Sequence, residues 1–248
     1  MQPILSLYVT ELRYLPNSDN ITTFQTTIVE ATQDYIILDG TYFYPEGGGQ
    51  PADRGTIRWE NGSASIKNVK KSHSDVRHYV DSYTGSSPVE NEPVQGNIDE
   101  TRRKKHSRMH TAQHIVSRVV LDEYGATTAG NQVYADRSRI DFEPAEFDET
   151  DISYIETESN QVIEQNLSVI KENRPRDLVE NNVDEGRALL DLIPDYVDPL
   201  RVVEIETFDM CPCGGTHVDK LGEIGEISIV DWVSKGADTV RIEFELNQ

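Results

Sequence analysis

Arg102-Arg103-Lys104-Lys105-His106-Ser107-Arg108-Met109-His110-Thr111-Ala112-Gln113-His114 opens the stretch that divides this 248-residue chain. The run continues without Gly or Pro to Tyr124 and stops at Gly125, a residue suited to the end of a helix. Met109, Ala112, Val116, Val119 and Val120 recur at roughly helical spacing, so 102–124 reads as one helix. His110 and His114, four apart, then lie on one face about a turn apart, close enough to share an ion.

On either side of this helix the pattern differs. Upstream, short segments rich in β-branched residues at 26–30, 35–38, 55–59, 65–69 and 77–80 read as strands. Turn residues such as Thr32-Gln33-Asp34 and Asn61-Gly62 separate them, which suggests a small β-barrel over 1–97. Downstream, 138–142, 169–172 and 201–207 read as strands, and 148–167 and 177–192 as helices. Residues 226–233 and 239–246 read as a closing hairpin. The expected fold class is therefore α+β, a small N-terminal β-barrel followed by an α+β domain over 98–248.

The metal-ligand types are few, six His and two Cys. Cys213-Gly214-Gly215-Thr216-His217 repeats the spacing of four found in His110 and His114. Its glycines make a tight loop that can fold around an ion. One thiolate and three imidazoles suit zinc. Each half is weak alone, but both together predict one zinc held by His110, His114, Cys213 and His217. Cys211, two residues from Cys213, is an alternative thiolate, although Pro212 can turn it away. His106, a turn before His110, is a weaker alternative, and His73 and His78 read as surface positions of the barrel. A shell of four protein ligands ordinarily marks a structural zinc, because a catalytic one keeps a position open. An enzyme with this set needs one loose ligand or a fifth during turnover.

Composition bounds the rest. With 44 acidic and 23 basic residues the formal charge is -21. The acid is spread along the chain, and the basic residues divide into 15 Arg and 8 Lys. A hydrated acidic surface of the kind suited to concentrated salt competes with a basic partner as the explanation; the even spread favours the first, a halophilic protein. No apolar run is long enough to span a bilayer. The first five residues lack the pattern of a secretory leader, so a cytoplasmic protein is expected.

Phe43-Tyr44-Pro45-Glu46-Gly47-Gly48-Gly49-Gln50-Pro51-Ala52-Asp53-Arg54-Gly55 is the other unusual stretch. Three successive glycines let backbone approach something closely. A long hairpin loop, a phosphate cradle and a packing surface are all compatible with it. No Gly-Lys-Ser/Thr follows, so it is not a P-loop.

Together, the Phe43 to Gly55 stretch, His110-Thr111-Ala112-Gln113-His114 and Cys213-Gly214-Gly215-Thr216-His217-Val218 resemble the editing region of alanyl-tRNA synthetase. They resemble most its free-standing relatives, the AlaX alanyl-tRNA editing proteins. Lys235-Gly236 and Arg241-Ile242 are similar to the family's last hairpin. The resemblance implies that 98–248 has the editing fold shared by alanyl- and threonyl-tRNA synthetases, preceded by the barrel. It implies zinc on the four ligands, with Gly47, Gly48, Gly49 and Gln50 near the pocket as substrate-binding residues. It further implies hydrolysis of Ser-tRNA(Ala), and often of Gly-tRNA(Ala), with no ATP-binding aminoacylation domain. Thr127 and Thr128, similar to a threonine-bearing pocket strand, and Arg139 and Asp141 on the next strand become the catalytic candidates. Plain loop and strand positions compete with these roles.

The expected chemistry is water attack on an aminoacyl ester. Zinc either activates the water or holds the substrate, and the filled shell favours holding. Rejecting alanine needs a polar group aimed at the serine hydroxyl. Arg102, Arg103, Lys104, Lys105 and Arg108 form the densest basic cluster and are the expected contacts to the tRNA(Ala) acceptor end, against a merely solvated helix start. Two other functions compete. A zinc-stabilised tRNA-binding module would bind without turnover. A hydrolase of small amino esters is disfavoured because no Glu stands between the paired His residues. The oligomeric state is left open by the sequence.

Overall fold

The computed structural model describes residues 10–188, 190–236 and 238–247. Residues 1–5, on which the expectation about a secretory leader rests, lie outside the described residues. The chain divides into two compact units, residues 1–47 with 51–103 and residues 48–50 with 104–248.

In the first unit, β1 (Glu11–Leu12) pairs in parallel with β4 (Gly40–Thr41). β2 (Thr23–Ala31), β3 (Tyr35–Leu38), β5 (Gly55–Trp59), β6 (Gly62–Ser72), β7 (Asp75–Gly85) and β8 (Pro93–Ile98) close into a barrel. Their order is β2-β3-β7-β6-β5-β8, which leaves no unpaired edge. Alternation does the work: on β2, Phe24, Thr26 and Ile28 point inward between exposed or half-exposed neighbours. Phe24 and Ile28 pack with Ile36, Leu38, Phe43, Ile57 and Val80. β6 and β7 run eleven residues each, longer than 65–69 and 77–80, because polar outer positions extend the ladder past the apolar ones.

His78 is a correction to the surface expectation. The alternation of β7 that buries Val76 and Val80 turns His78 inward too, to 0% exposure. Its Nδ1 donates to the Ile36 carbonyl at 3.0 Å and its Nε2 accepts from the Thr41 hydroxyl at 2.8 Å. Burial lowers its pKa to about 4. The unfolded chain takes up a proton on this ring below about 6.5, the folded chain only below about 4. Stability is therefore whole above pH 6.5 and falls by roughly 3 kcal/mol as pH drops to 4. Urea titrations across that window should show this loss, and His78→Gln should flatten it; an unchanged slope in the variant would assign the loss elsewhere.

Arg103 is the second correction. It is 2% exposed, and its guanidinium is spent inside the first unit on the Asp53 carboxylate and the carbonyls of Asp19 and Tyr42. The Tyr44 backbone N–H also donates to Asp53 at 2.7 Å. Burial keeps Arg103 from any phosphate, and of the basic run Lys104 and Lys105 are exposed while Arg102 and Arg108 are half-buried.

The second unit holds most of α1 (Glu100–Tyr124). It continues through β9 (Thr127–Val133), β10 (Ser138–Glu143), α2 (Glu149–Glu164), β11 (Val169–Arg174) and α3 (Arg176–Asn182). β12 (Leu200–Ile205), β13 (Asp209–Pro212), β14 (Glu226–Ser234) and β15 (Val240–Asn247) complete it. The strands form two antiparallel sheets, β14-β15-β10-β9 and β11-β12-β13. Met109, Ala112, Val116, Val119 and Val120 are buried as their spacing predicts, against Ile140, Phe142, Ile152, Ile155 and Phe244. Asp148 caps α2 with a reciprocal capping box.

Two helices are shorter than expected. α2 stops at Glu164, and Asn166 turns to φ 50°. The helix expected over 177–192 ends at Asn182, and only Leu190–Leu192 regains a 3-10 turn. Asn181 and Asn182 close α3 by donating to carbonyls four residues back, and Arg187 leaves the helical path to pair with Asp209. Among the described residues no helix is long and apolar enough to cross a membrane.

Candidate metal centre

α1 carries His110 and His114 one turn apart, and the loop leaving β13 carries Cys213 and His217. The structure brings all four together: their ligand atoms lie within 4.8 Å of one another. The rings of His110 and His217 are 4.3 Å apart between centroids, and those of His114 and His217 are 4.7 Å apart. The three imidazoles are buried and Cys213 is half-buried.

Gly215 explains why the loop comes so close. A Cβ there would sit 2.1 Å from His110 Cε1, so only glycine lets the His110 ring lie against this backbone. A Cβ at Gly214 would meet nothing within 4 Å, so that position carries no such steric demand.

Hydrogen bonds fix which ring nitrogens face the centre. His110 Nδ1 donates to Gln50 Oε1 at 2.8 Å. His217 Nδ1 lies 3.1 Å from the Thr111 hydroxyl oxygen, which itself donates to the Ser107 carbonyl and so accepts from the ring. Both Nε2 atoms are left to face Cys213 Sγ, at 3.6 Å from His110 and 3.3 Å from His217. A tetrahedral ion with Zn–N near 2.05 Å and Zn–S near 2.3 Å would hold such atoms about 3.6 Å apart. The donor set thus fits a small tetrahedral cation. His114 Nδ1 lies 3.7 Å from Asp209, whose carboxylate takes two bonds from Arg187 at 2.6 and 2.5 Å.

The charges also suit a cation. Burial, then His110 and His114, push the His217 pKa well down, so the ring is neutral. Burial raises the Cys213 thiol, but His114, the Gly215 N–H and Arg201 outweigh it and bring it down. Arg201 also anchors the loop, donating to the Cys213 and Gly215 carbonyls at 2.6 and 2.8 Å. Thiolate and neutral imidazole are the forms that bind metal. Cys211 stands outside the cluster. Its buried thiol is pushed up to about 12 and lies 3.9 Å from the Arg187 carbonyl. His106 is buried and outside the four as well.

Gln50 turns out to be a support for the centre. Besides His110 it takes the Thr216 N–H at 3.0 Å and donates to the Thr216 hydroxyl at 2.9 Å. Gly48 and Gly49 accept from Asn131, Gln132 and the Val133 N–H, and Gly47 accepts from the Tyr44 hydroxyl. Spacing could not have found these partners. Gln113, buried between the two His residues and bonded to Asn131, had only its place in the motif as a signal. Gln50→Ala should lower metal affinity about 10- to 100-fold, as loss of an outer partner usually does. A competition titration with a chromogenic chelator measures this; affinity equal to the parent's would leave His110 needing no support.

The remaining expected residues are spread. Thr127 donates to the Glu143 carbonyl at 2.9 Å, and Thr128 to Ser117 at 3.0 Å, one turn along α1 from His114. Asp141 is held below the usual carboxylate range by Arg241, which it grips at 2.6 and 2.8 Å. Arg139 lines a cavity of about 300 Å³ with its Nε buried and without an acceptor among the described residues. Of the basic cluster, Lys104 and Lys105 are exposed, Arg102 donates to the Ala52 carbonyl, and Arg108 is tied to the Ile224 carbonyl.

Residues 15–102 match the family of class II (A) tRNA synthetases, and residues 200–243 match the threonyl and alanyl tRNA synthetase second additional domain. An alanyl-tRNA editing protein AlaX-M of Methanosarcina barkeri is 35% identical over 227 residues, 90% of this chain and 93% of that protein. AlaX-M of Methanosarcina mazei is 36% identical over 229 residues, 90% and 91% of the two chains. The alanine–tRNA ligase of Methanopyrus kandleri is 37% identical over 216 residues, 84% of this chain and 23% of that protein.

Proposed function

This chain belongs to the AlaX family of alanyl-tRNA editing proteins, and we propose that it is a zinc-dependent deacylase that hydrolyses Ser-tRNA(Ala). One observation supports this above the others: the four-residue centre lies in a chain similar to AlaX-M proteins over nine-tenths of its length. Zinc is the metal on this proposal, because one thiolate and three imidazoles at tetrahedral separations suit it. When bound, it supplies a positive anchor for the substrate's amino or ester oxygen group.

The protein's own residues do the rest. Gln50 and Thr111 hold two imidazoles in fixed orientation, so the site is preorganised. Thr128 is the preferred reader of the serine hydroxyl, since the Thr127 hydroxyl is given to a backbone carbonyl while Thr128 meets only another hydroxyl. Serine adds a hydroxyl that can bond to this Thr128–Ser117 pair, and alanine has none to offer. Arg139 and Asp141, with Gly47, Gly48 and Gly49, remain proposed pocket positions. Residues 98–248 form the editing domain on this reading, and 1–97 the accompanying barrel. Lys104, Lys105 and Arg102 meet the tRNA acceptor end, in the cytoplasm of a salt-rich cell. Ser-, Gly- and Ala-tRNA(Ala) incubated side by side at molar salt test the substrate: serine is released and Ala-tRNA(Ala) stays charged. Equal release of alanine would overturn the specificity.

A further inference from the structure

The barrel unit holds a cavity of about 540 Å³ that the deacylation chemistry does not use. Arg54, Lys67, Lys70 and Arg102 line it, with Glu46 as its one acid and Tyr79 on its wall. Four cations in one cleft are out of character for a chain with 44 acidic and 23 basic residues. Glu46 neutralises only one of them, Lys70, at 2.7 Å. Arg54, Lys67 and Arg102 have no carboxylate within ion-pair distance among the described residues. Burial first, and then the Arg54 charge, lower the Arg102 pKa, and Asp53 and Asp99 offset this only in part. Arg102 is also aimed, since its Nε is fixed on the Ala52 carbonyl at 3.0 Å and its terminal nitrogens are left to other acceptors. Tyr79, half-buried and edge-packed on Tyr35, adds an aromatic wall.

We propose that this cleft binds RNA, taking backbone phosphates on Arg54, Lys67 and Arg102 and a base against Tyr79. Uncompensated cations beside a ring are the combination that single-stranded nucleic acid needs. Arg54 and Lys67 are exposed, so their phosphate contacts weaken as salt rises, and that salt dependence is the signature of this surface. The RNA is the tRNA substrate, so the proposal rests on the editing function and adds a binding surface to it.

Anisotropy titrations of uncharged tRNA(Ala) across a salt series test the cleft. Arg54→Gln/Lys67→Gln should bind about tenfold more weakly than the parent near 0.2 M salt. Its slope of log K against log salt should flatten by about 1.4 to 1.8, the share of two phosphates. Arg58→Gln, an exposed barrel arginine outside the cleft, should keep the parent's affinity within about twofold. Metal content and melting curves confirm that each variant is intact. Unchanged affinity and slope in the double variant would overturn the cleft, as would an equal loss in Arg58→Gln. So would saturable ATP binding there without any effect on tRNA. Serine release by the parent judges the editing function separately, so the two failures are distinguishable.

Discussion

Cys213→Ala is expected to strip the metal from the centre and to lower serine release from Ser-tRNA(Ala) by well over 100-fold. Removing a group that merely supports a ligand already costs about 10- to 100-fold in metal affinity or activity, and Cys213 is itself a ligand in this account. It is the one thiol in the cluster, and its Sγ stands 3.3 and 3.6 Å from two imidazole nitrogens. Three imidazoles would remain, with a void where the negative charge had been. Cys211→Ala is the matched control, since that thiol is pushed up to about 12 by burial and faces a backbone carbonyl instead. Elemental analysis and single-turnover deacylation read the two outcomes together. A Cys213→Ala protein that is metal-free yet deacylates at the parent's rate would detach the metal from the chemistry.

Arg103→Met is expected to destabilise the protein by about 3–5 kcal/mol, the usual cost of leaving one partner of a buried ion pair alone. Asp53 is 0% exposed and would keep a negative charge with the Tyr44 N–H as its main remaining donor. The carbonyls of Asp19 and Tyr42 would lose their donor as well. Adding Asp53→Asn removes the stranded charge and should recover part of the loss, and denaturant midpoints of both variants measure it. If Arg103→Met instead left stability unchanged and weakened tRNA binding, Arg103 would be a surface phosphate contact after all.

These two arginine and cysteine cases show what the sequence could tell. Cys213 and His217 were legible because their spacing repeats that of His110 and His114, and because short spacings on a helix or tight loop translate directly into distance. The helix itself was legible from its apolar stripe. Arg103 was misread because a run of basic residues says nothing about which of them faces inward. The clue was its position seven before His110, on the same helical face as the ligands, yet a buried polar face looks like an exposed one until its partner is known. Asp53 and Gln50 are such partners, fifty and sixty residues away in the chain, where periodicity has no reach. His78 hides for a related reason, since strand alternation tells the two faces apart only when the inner one is apolar throughout. The loss of the 177–192 helix after Asn182 likewise follows from a distant pairing, Arg187 with Asp209.

A time course of serine release from Ser-tRNA(Ala) at high salt tests most directly whether the metal centre carries deacylation. It should be run with the protein as isolated, after chelation and dialysis, and after zinc is returned. Release should be rapid, should be lost on chelation and should return with zinc. Protein that binds the tRNA and holds its zinc but leaves the ester intact would contradict this, and would make the centre the brace of an RNA-binding module.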